Sequence, residues 1–113
     1  MSKDEKIVQR IISVANKTAP DSEVYLYGSR ARGKARKVSD LDLLILLSST
    51  NISFDFETNF MDEFYEIELE TGEVISPLIY PKQKWVEEYS STPLFENIQK
   101  EGIRLKWKPP GKI

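Results

Sequence analysis

Two short groups of residues have the types and spacing that chemistry on a phosphate group requires. Gly28 and Ser29 follow the apolar run 24–27, and Asp40 and Asp42 open a second apolar run after a gap of ten residues. Glycine has no Cβ, so the backbone there can turn sharply and approach a ligand closely. A serine hydroxyl and the free N–H groups at the start of a following helix donate to phosphate oxygens. The first group is therefore typical of a phosphate-binding turn.

The two aspartates predict a metal site. Residues 40–47 read as a strand that is apolar on both faces after its first turn, which indicates a strand inside a sheet that is covered on both sides. Because side chains alternate along a strand, Asp40 and Asp42 should share one face, with their Cα atoms about 7 Å apart. Two carboxylates at such a short distance repel each other unless a cation lies between them. The site favours Mg²⁺ or Mn²⁺, since the chain has no cysteine or histidine to offer zinc.

The connection between the two groups is strongly basic. Arg30, Arg32, Lys34, Arg36 and Lys37 fall within eight residues, and a nucleoside triphosphate is the anion expected to offset them. Each feature alone has an ordinary explanation: a Gly-Ser pair can cap a helix, a basic loop can be solvated surface, and Asp-x-Asp can be a turn that enters a strand. Their combination on successive strands is much more specific than any one of them.

Residues 28–33, Gly-Ser-Arg-Ala-Arg-Gly, followed by residues 39–43, Ser-Asp-Leu-Asp-Leu, resemble the signature of the minimal nucleotidyltransferase (MNT) domain of the DNA polymerase β superfamily. The resemblance includes the ten-residue spacing and is close from about residue 24 to residue 47. It implies a polymerase-β-like nucleotidyltransferase fold in which Gly28 and Ser29 hold the triphosphate of ATP or another nucleotide. Asp40 and Asp42 would then be the catalytic metal ligands. Arg30 or Arg32 would offset charge on the leaving pyrophosphate, or else form surface ion pairs.

The same resemblance implies a partner protein. Many MNT domains are antitoxins paired with a helical HEPN protein, and some transfer AMP from ATP to a tyrosine of that partner. Two other functions stay open: an antitoxin that binds nucleotide without catalysis and acts by covering its toxin, and a nucleotidyltransferase that acts on a small molecule. The last kind normally carries an added domain to hold the acceptor, and 113 residues leave little room for one.

The sequence departs from the family pattern at a third carboxylate, which the superfamily usually carries on a later strand. The later strand is predicted at residues 74–80, and alignment places Ser76 or Pro77 at that position. The candidate substitutes are Glu68, Glu70 and Glu73, together with Glu66. Glu68 and Glu70 would approach the sheet if the segment before the strand were extended. The alternative explanation for each is an ordinary solvated acidic helix end.

Composition and charge narrow the class of protein. A chain of 113 residues suits a single nucleotidyltransferase domain spanning residues 1–113, without the separate subdomains of a template-binding polymerase. The net charge of −2 argues against general binding to nucleic acid. The N-terminus lacks the apolar centre of a signal peptide and no apolar run reaches membrane-spanning length, which predicts a cytoplasmic protein without membrane contact. Residues 108–113 are expected to be a flexible tail.

The remaining pattern is mixed α/β (α+β), and it predicts a small mixed β-sheet flanked by helices. A first helix should run to about Lys17, and a second should carry a core-facing apolar stripe and end near Gly72. Its stripe consists of Phe60, Met61, Phe64, Tyr65 and Ile67. Further helices are predicted at 82–89 and 93–101, and an edge strand at 103–107. Such a sheet would place the Gly-Ser turn and the two aspartates at neighbouring strand ends on one open edge.

Overall fold

The computed structural model describes residues 3–28 and 40–106. In chain order these form α1 (Lys3–Thr18), β1 (Glu23–Tyr27), β2 (Leu41–Leu47), α2 (Phe54–Thr71), β3 (Ile75–Pro81), α3 (Lys82–Tyr89), α4 (Pro93–Glu101) and β4 (Ile103–Lys106). Within the described residues the strands form a sheet of order β3-β2-β1-β4. β1 is antiparallel to β2 and β4, and β2 is parallel to β3. This architecture confirms the predicted mixed sheet flanked by helices.

Local signals set the ends of α2 and α4. Ser53 accepts a 3.1 Å hydrogen bond from the Phe56 N–H and so caps the start of α2. Gly72 ends the helix in the left-handed region, at φ 75°, and its N–H donates to the Glu68 carbonyl. Thr92 caps α4 in the same way as Ser53 caps α2, just before Pro93. Such caps satisfy backbone groups that the helix itself leaves unpaired, and this is why the predicted ends are close to the observed ones.

β2 lies in the middle of the molecule and is buried on both faces, as its sequence predicts. One face packs with α1 and α2, and its buried core includes Leu43, Ile45, Ile11, Phe60 and Phe64. The opposite face packs with α3 and α4, and its buried core consists of Leu44, Leu46, Trp85 and Ile98. Each fully buried aliphatic side chain contributes about 1.5–3 kcal/mol of transfer free energy. These two cores hold β2 in place and so determine where its first residues project.

One expectation about the second helix is wrong, and one condition is not met. The segment before β3 is helical through Thr71, so Glu68 and Glu70 are not on an extended element. Met61 and Tyr65 are exposed, although they were expected to belong to the core-facing stripe. The apolar residues of α2 extend around more of the helix than the core covers. Among the described residues no helix is long and apolar enough to cross a membrane.

The predicted edge strand is confirmed as β4, which lies beside β1 at one border of the sheet. The tail predicted at 108–113 lies outside the residues that the structure describes.

Candidate functional site

Asp42 is the second residue of β2, and its pairing defines its surroundings. It lies opposite Tyr27 on the antiparallel strand β1 and opposite Ser76 on the parallel strand β3. Residues paired across neighbouring strands project from the same face of a sheet, and residues two apart on one strand do so as well. Asp42 therefore shares the face of Leu44, which packs with α3 and α4. It lies at the end of that face, between Tyr27 and Ser76.

Asp40 is exposed and directly precedes β2. The start of the strand is anchored because the Leu41 N–H donates a 2.9 Å hydrogen bond to the Val74 carbonyl. The Asp40 carboxylate accepts a 2.9 Å hydrogen bond from the Ser76 hydroxyl through Oδ2. Since Ser76 is also the β3 partner of Asp42, the structure brings both aspartates to one serine.

Gly28 directly follows β1 and lies against Asp42. Its φ is 78°, in the left-handed region that side-chain-bearing residues rarely adopt. A Cβ placed on Gly28 would lie 3.3 Å from Cγ of Asp42 and would overlap its Oδ2. The sequence predicts that this glycine permits close approach of a phosphate. The structure adds that it permits close approach of the Asp42 carboxylate. Ser29, Arg30 and Arg32 lie outside the described residues, so their nucleotide-binding roles stay predictions.

The donor set suits a hard divalent cation. Asp40 and Asp42 offer carboxylate oxygens and Ser76 offers a neutral hydroxyl oxygen. Mg²⁺ is commonly held by one or two carboxylates, with water and substrate phosphates as its other ligands. Among the described residues there is no group of three or more aspartates, glutamates, histidines or cysteines that could hold a metal. The residues present therefore fit a cation that completes its coordination with a nucleotide, and their role as ligands stays a prediction.

The glutamates considered as a third carboxylate have other contacts. Glu68 accepts a 2.9 Å hydrogen bond from the Ile75 N–H through Oε2, which ties the end of α2 to the start of β3. Glu70 forms an ion pair with Arg10 of α1. Glu73 lies in the link between α2 and β3, where its N–H donates to the Thr71 hydroxyl. None of the three joins Asp40 and Asp42 in a metal-binding cluster of the described residues.

Tyr27 is a site residue that the sequence analysis missed. It lies opposite Asp42 and packs against the core of Leu44 and Trp85. Burial raises the pKa of the Tyr27 hydroxyl above its ordinary value, and the negative charge of Asp42 raises it further. The phenol therefore stays neutral at physiological pH. The one signal in the sequence was its place directly before Gly28, at the end of a strand.

The comparison with known families identifies the fold family. The family described as polymerase beta, nucleotidyltransferase matches residues 9–108, which include Gly28, Asp40 and Asp42. The chain belongs to this nucleotidyltransferase family. The match confirms the class of enzyme domain that the motif predicts. A comparison with curated proteins gives no significant match.

Solved structures with the same fold come from toxin–antitoxin complexes. A chain of a toxin–antitoxin crystallised with AMP-PNP has a TM-score of 0.65 at 18% identity, over 89% of this chain and 73% of that one. A chain of a mutant of the toxin–antitoxin MntA-HpeT has a TM-score of 0.63 at 15% identity, over 96% of this chain and 75% of that one. A chain from the complex of a tri-AMPylated Shewanella oneidensis HEPN toxin with MNT antitoxin has a TM-score of 0.59 at 15% identity, over 92% of this chain and 72% of that one. At these identities the likeness establishes the fold alone, which these toxin–antitoxin chains share with this one.

This nucleotidyltransferase domain thus presents two carboxylates, a serine hydroxyl and a glycine turn at one end of its sheet. The carboxylates can hold a cation, and the turn can admit a phosphate chain. Among the described residues near them, the serine and tyrosine hydroxyls are neutral groups that can orient the carboxylates or a ligand. The arrangement suits the binding of a triphosphate together with a cation.

Proposed function

We propose that this nucleotidyltransferase transfers AMP from ATP to a hydroxyl of a partner protein, and that the partner is a HEPN-type toxin which the transfer neutralises. The observation that carries the proposal is the meeting of Asp40, Asp42 and Gly28 around one edge of the sheet. Family membership supports the reaction class. The relatives crystallised with AMP-PNP and with an AMPylated HEPN toxin support the nucleotide and the kind of partner.

The chain's own residues have separate tasks in this reaction. Asp40 and Asp42 would hold Mg²⁺ or Mn²⁺, which when bound supplies charge stabilisation for the entering and leaving oxygens. Ser76 keeps the Asp40 carboxylate in place through its hydrogen bond. Ser29 and the backbone after Gly28 would donate to the phosphates, and Arg30 or Arg32 would offset charge on the pyrophosphate.

The reaction itself is a single displacement. The acceptor oxygen forms a bond to the α-phosphorus while the bond to the pyrophosphate oxygen breaks, and pyrophosphate leaves with that bonding pair. The acceptor hydroxyl gives up its proton to solvent or to a carboxylate of the site. The products are the AMP ester and pyrophosphate.

An acceptor supplied by another protein agrees with the shape of the described surface. Three cavities of 330, 430 and 340 Å³ are all lined by residues other than Gly28, Asp40, Asp42 and Ser76. A small-molecule acceptor would need a concave site beside the carboxylates to bury most of its surface. A docked protein can supply its own hydroxyl beside the carboxylates, and the AMPylated HEPN toxin of the related complex supports a protein acceptor.

One observation favours a second candidate function. The resemblance places Ser76 or Pro77 where the family carries a third carboxylate; of the two, Ser76 is the partner of Asp42, and β3 contains no acidic residue. A site with two carboxylates can bind nucleotide yet catalyse transfer slowly. The chain would then be an antitoxin that neutralises its toxin by binding alone.

Intact-mass spectrometry separates the two candidates. The domain is incubated with ATP, Mg²⁺ and a HEPN-type protein as candidate partner. We expect the partner to gain one or more AMP groups, and we expect Asp42→Asn to abolish the gain. Asp21→Asn is the matched control, because Asp21 is an exposed aspartate in the turn before β1, at the far end of that strand from Tyr27.

An unmodified partner in a tight, neutralised complex would reject transfer and leave binding as the function. If Asp42→Asn and Asp40→Asn each label the partner as fast as the wild type does, the active site lies elsewhere.

A further inference from the structure

The helix α2 carries an apolar stripe that faces away from the core. We call it the α2 stripe, and it consists of Phe54, Met61, Tyr65 and Leu69. Successive members are seven, four and four residues apart, which places them on one side of the helix. Their exposed fractions are 82%, 43%, 59% and 68%, whereas Phe60, Phe64 and Ile67 on the core side are buried. Isolated exposed apolar residues are ordinary, but a continuous stripe of them marks an interaction site.

The charges beside the α2 stripe are of one sign. Every charged residue of α2 is acidic. Glu63 and Glu70, towards α1, form ion pairs with Lys17 and Arg10. Asp55, Asp62 and Glu66 are exposed, and each directly follows a member of the stripe. A protein that covers the stripe should therefore present apolar residues bordered by lysine or arginine.

The same charges argue against a second copy of α2 as the occupant. A symmetric contact between two α2 stripes would bring the acidic border of one helix against that of the other. Like charges placed against each other across an interface are costly. A partner with a basic border avoids this cost.

The α2 stripe leads towards the carboxylates. Its last member, Leu69, lies in the final turn of α2, and the exposed Val74 follows the cap at Gly72. The Val74 carbonyl accepts the hydrogen bond of Leu41, which is the neighbour of Asp40. A protein lying along α2 thus reaches the edge where Ser76 meets Asp40.

We propose that the α2 stripe is the docking surface for the acceptor protein, which binds it through an amphipathic helix with an apolar face bordered by basic residues. The proposal rests on the proposed function only for the statement that the docked protein is the one modified. Docking along α2 would bring the acceptor hydroxyl to the end of the sheet where Asp40 and Asp42 lie, and the contact along the helix would select the substrate.

The test measures binding and transfer separately, with the HEPN-type protein of the transfer experiment as the probe. Tyr65→Ala with Leu69→Ala should weaken the Kd, measured by calorimetry, by about tenfold or more. The matched control is Val86→Ala with Ile103→Ala, two apolar residues on other elements that are 46% and 45% exposed. It should bind like the wild type. Both double variants should unfold at the wild-type temperature, because the residues changed are exposed.

A second pair of variants tests the acidic border. Asp62→Asn with Glu66→Gln should slow association and reduce its dependence on salt, while the α2 stripe itself is left intact. Wild-type Kd and association rate in both stripe and border variants would overturn the proposal. Self-association of the chain that only the stripe variant abolishes, with partner binding unchanged, would also overturn it and make the stripe a contact between copies.

The two proposals fail in different ways. If the stripe variant loses binding while the wild type binds but never labels the partner, docking stands and the transfer reaction is rejected. If the wild type labels the partner and the stripe variant binds and labels it equally well, transfer stands and docking on α2 is rejected.

Discussion

The Ser76 hydroxyl donates a 2.9 Å hydrogen bond to the Asp40 carboxylate. Ser76 is also the β3 partner of Asp42, so it lies where an acidic side chain would face both aspartates. A neutral group there spares the site the repulsion that a third carboxylate would add. A cation held by Asp40 and Asp42 would then have one negative ligand fewer and a lower affinity.

The first prediction concerns this serine. Ser76→Asp should lower stability in the absence of metal, because three carboxylates then repel one another. With Mg²⁺ it should gain more stability than the wild type, since added ligand charge tightens binding. A tenfold gain in affinity corresponds to about 1.4 kcal/mol. Thermal unfolding with and without saturating Mg²⁺ measures both effects.

Ser76→Ala is the control for the serine prediction. It loses the hydrogen bond, at a cost of about 1 kcal/mol, and adds no charge. Equal Mg²⁺-dependent stabilisation of Ser76→Asp and the wild type would show that this position does not face the metal.

The second prediction separates two properties of Gly28, its positive φ and its contact with the Asp42 carboxylate. Gly28→Ala and Gly72→Ala both place an L side chain at a positive φ, 78° and 75°, so each should cost about 1–2 kcal/mol of stability. Only at Gly28 does the new Cβ meet the Asp42 carboxylate, whereas at Gly72 it meets nothing within 4 Å. Gly28→Ala alone should therefore lose Mg²⁺-dependent ATP binding. Denaturant titration and calorimetry give the two readings, and equal ATP affinity in both variants would contradict the contact.

The third prediction uses Tyr27 as a reporter of Asp42. The Asp42 charge disfavours the tyrosinate, so Asp42→Asn should lower the pKa of the Tyr27 hydroxyl towards its ordinary value of about 10. Mg²⁺ bound at Asp42 should act in the same direction. Ultraviolet titration follows the change, and Tyr27→Phe identifies which of the tyrosines is responsible. A Tyr27 titration that neither the substitution nor Mg²⁺ moves would place the phenol away from the carboxylate.

The fourth prediction concerns Glu23, a carboxylate that is 5% exposed at the start of β1. It accepts hydrogen bonds of 2.6 Å from Lys82, 3.0 Å from Arg104 and 2.7 Å from the Tyr25 hydroxyl. Burial acts to raise the pKa of Glu23, but these hydrogen bonds and the two positive charges outweigh it, so the pKa lies below its ordinary value. The same contacts tie β1 to β4 and α3.

The direction of the Glu23 shift determines the effect of pH. Because the folded pKa is lowered, the stabilisation is present above the unfolded pKa, near 4.3, and is lost as pH falls through the folded value. Tyr25 affects stability at high pH. Burial and the Glu23 carboxylate raise the pKa of Tyr25 to about 12. Its contribution to folding stability is therefore present below pH ~10 and is lost as pH rises towards 12. Glu23→Gln should be less stable near neutral pH and less sensitive to acid between pH ~5 and ~2. Urea titrations across pH measure this, and parallel curves for variant and wild type would contradict it.

Local patterns in the sequence determined most of the secondary structure and the two parts of the motif. The apolar run 41–47 indicated a strand buried on both sides, and it lies between the two cores. Gly72 and Pro93 indicated the end of α2 and the start of α4, because caps depend on a few neighbouring residues. The motif predicted Asp40 and Asp42 on one strand; the structure has Asp42 on β2 and Asp40 directly before it. Each of these features is encoded within a short segment, so it can be read without knowing what the segment packs against.

The contacts between distant segments were decided only by the tertiary structure. Ser76 meets Asp40 across 36 residues, and Tyr27 lies opposite Asp42, because the sheet order is β3-β2-β1-β4 with a definite register. Register depends on how the two cores pack, and no local pattern contains that information. The apolar residues of α2 likewise did not reveal which side would be covered. Packing against α1 and the sheet buried Phe60 and Phe64 and left Tyr65 in solvent.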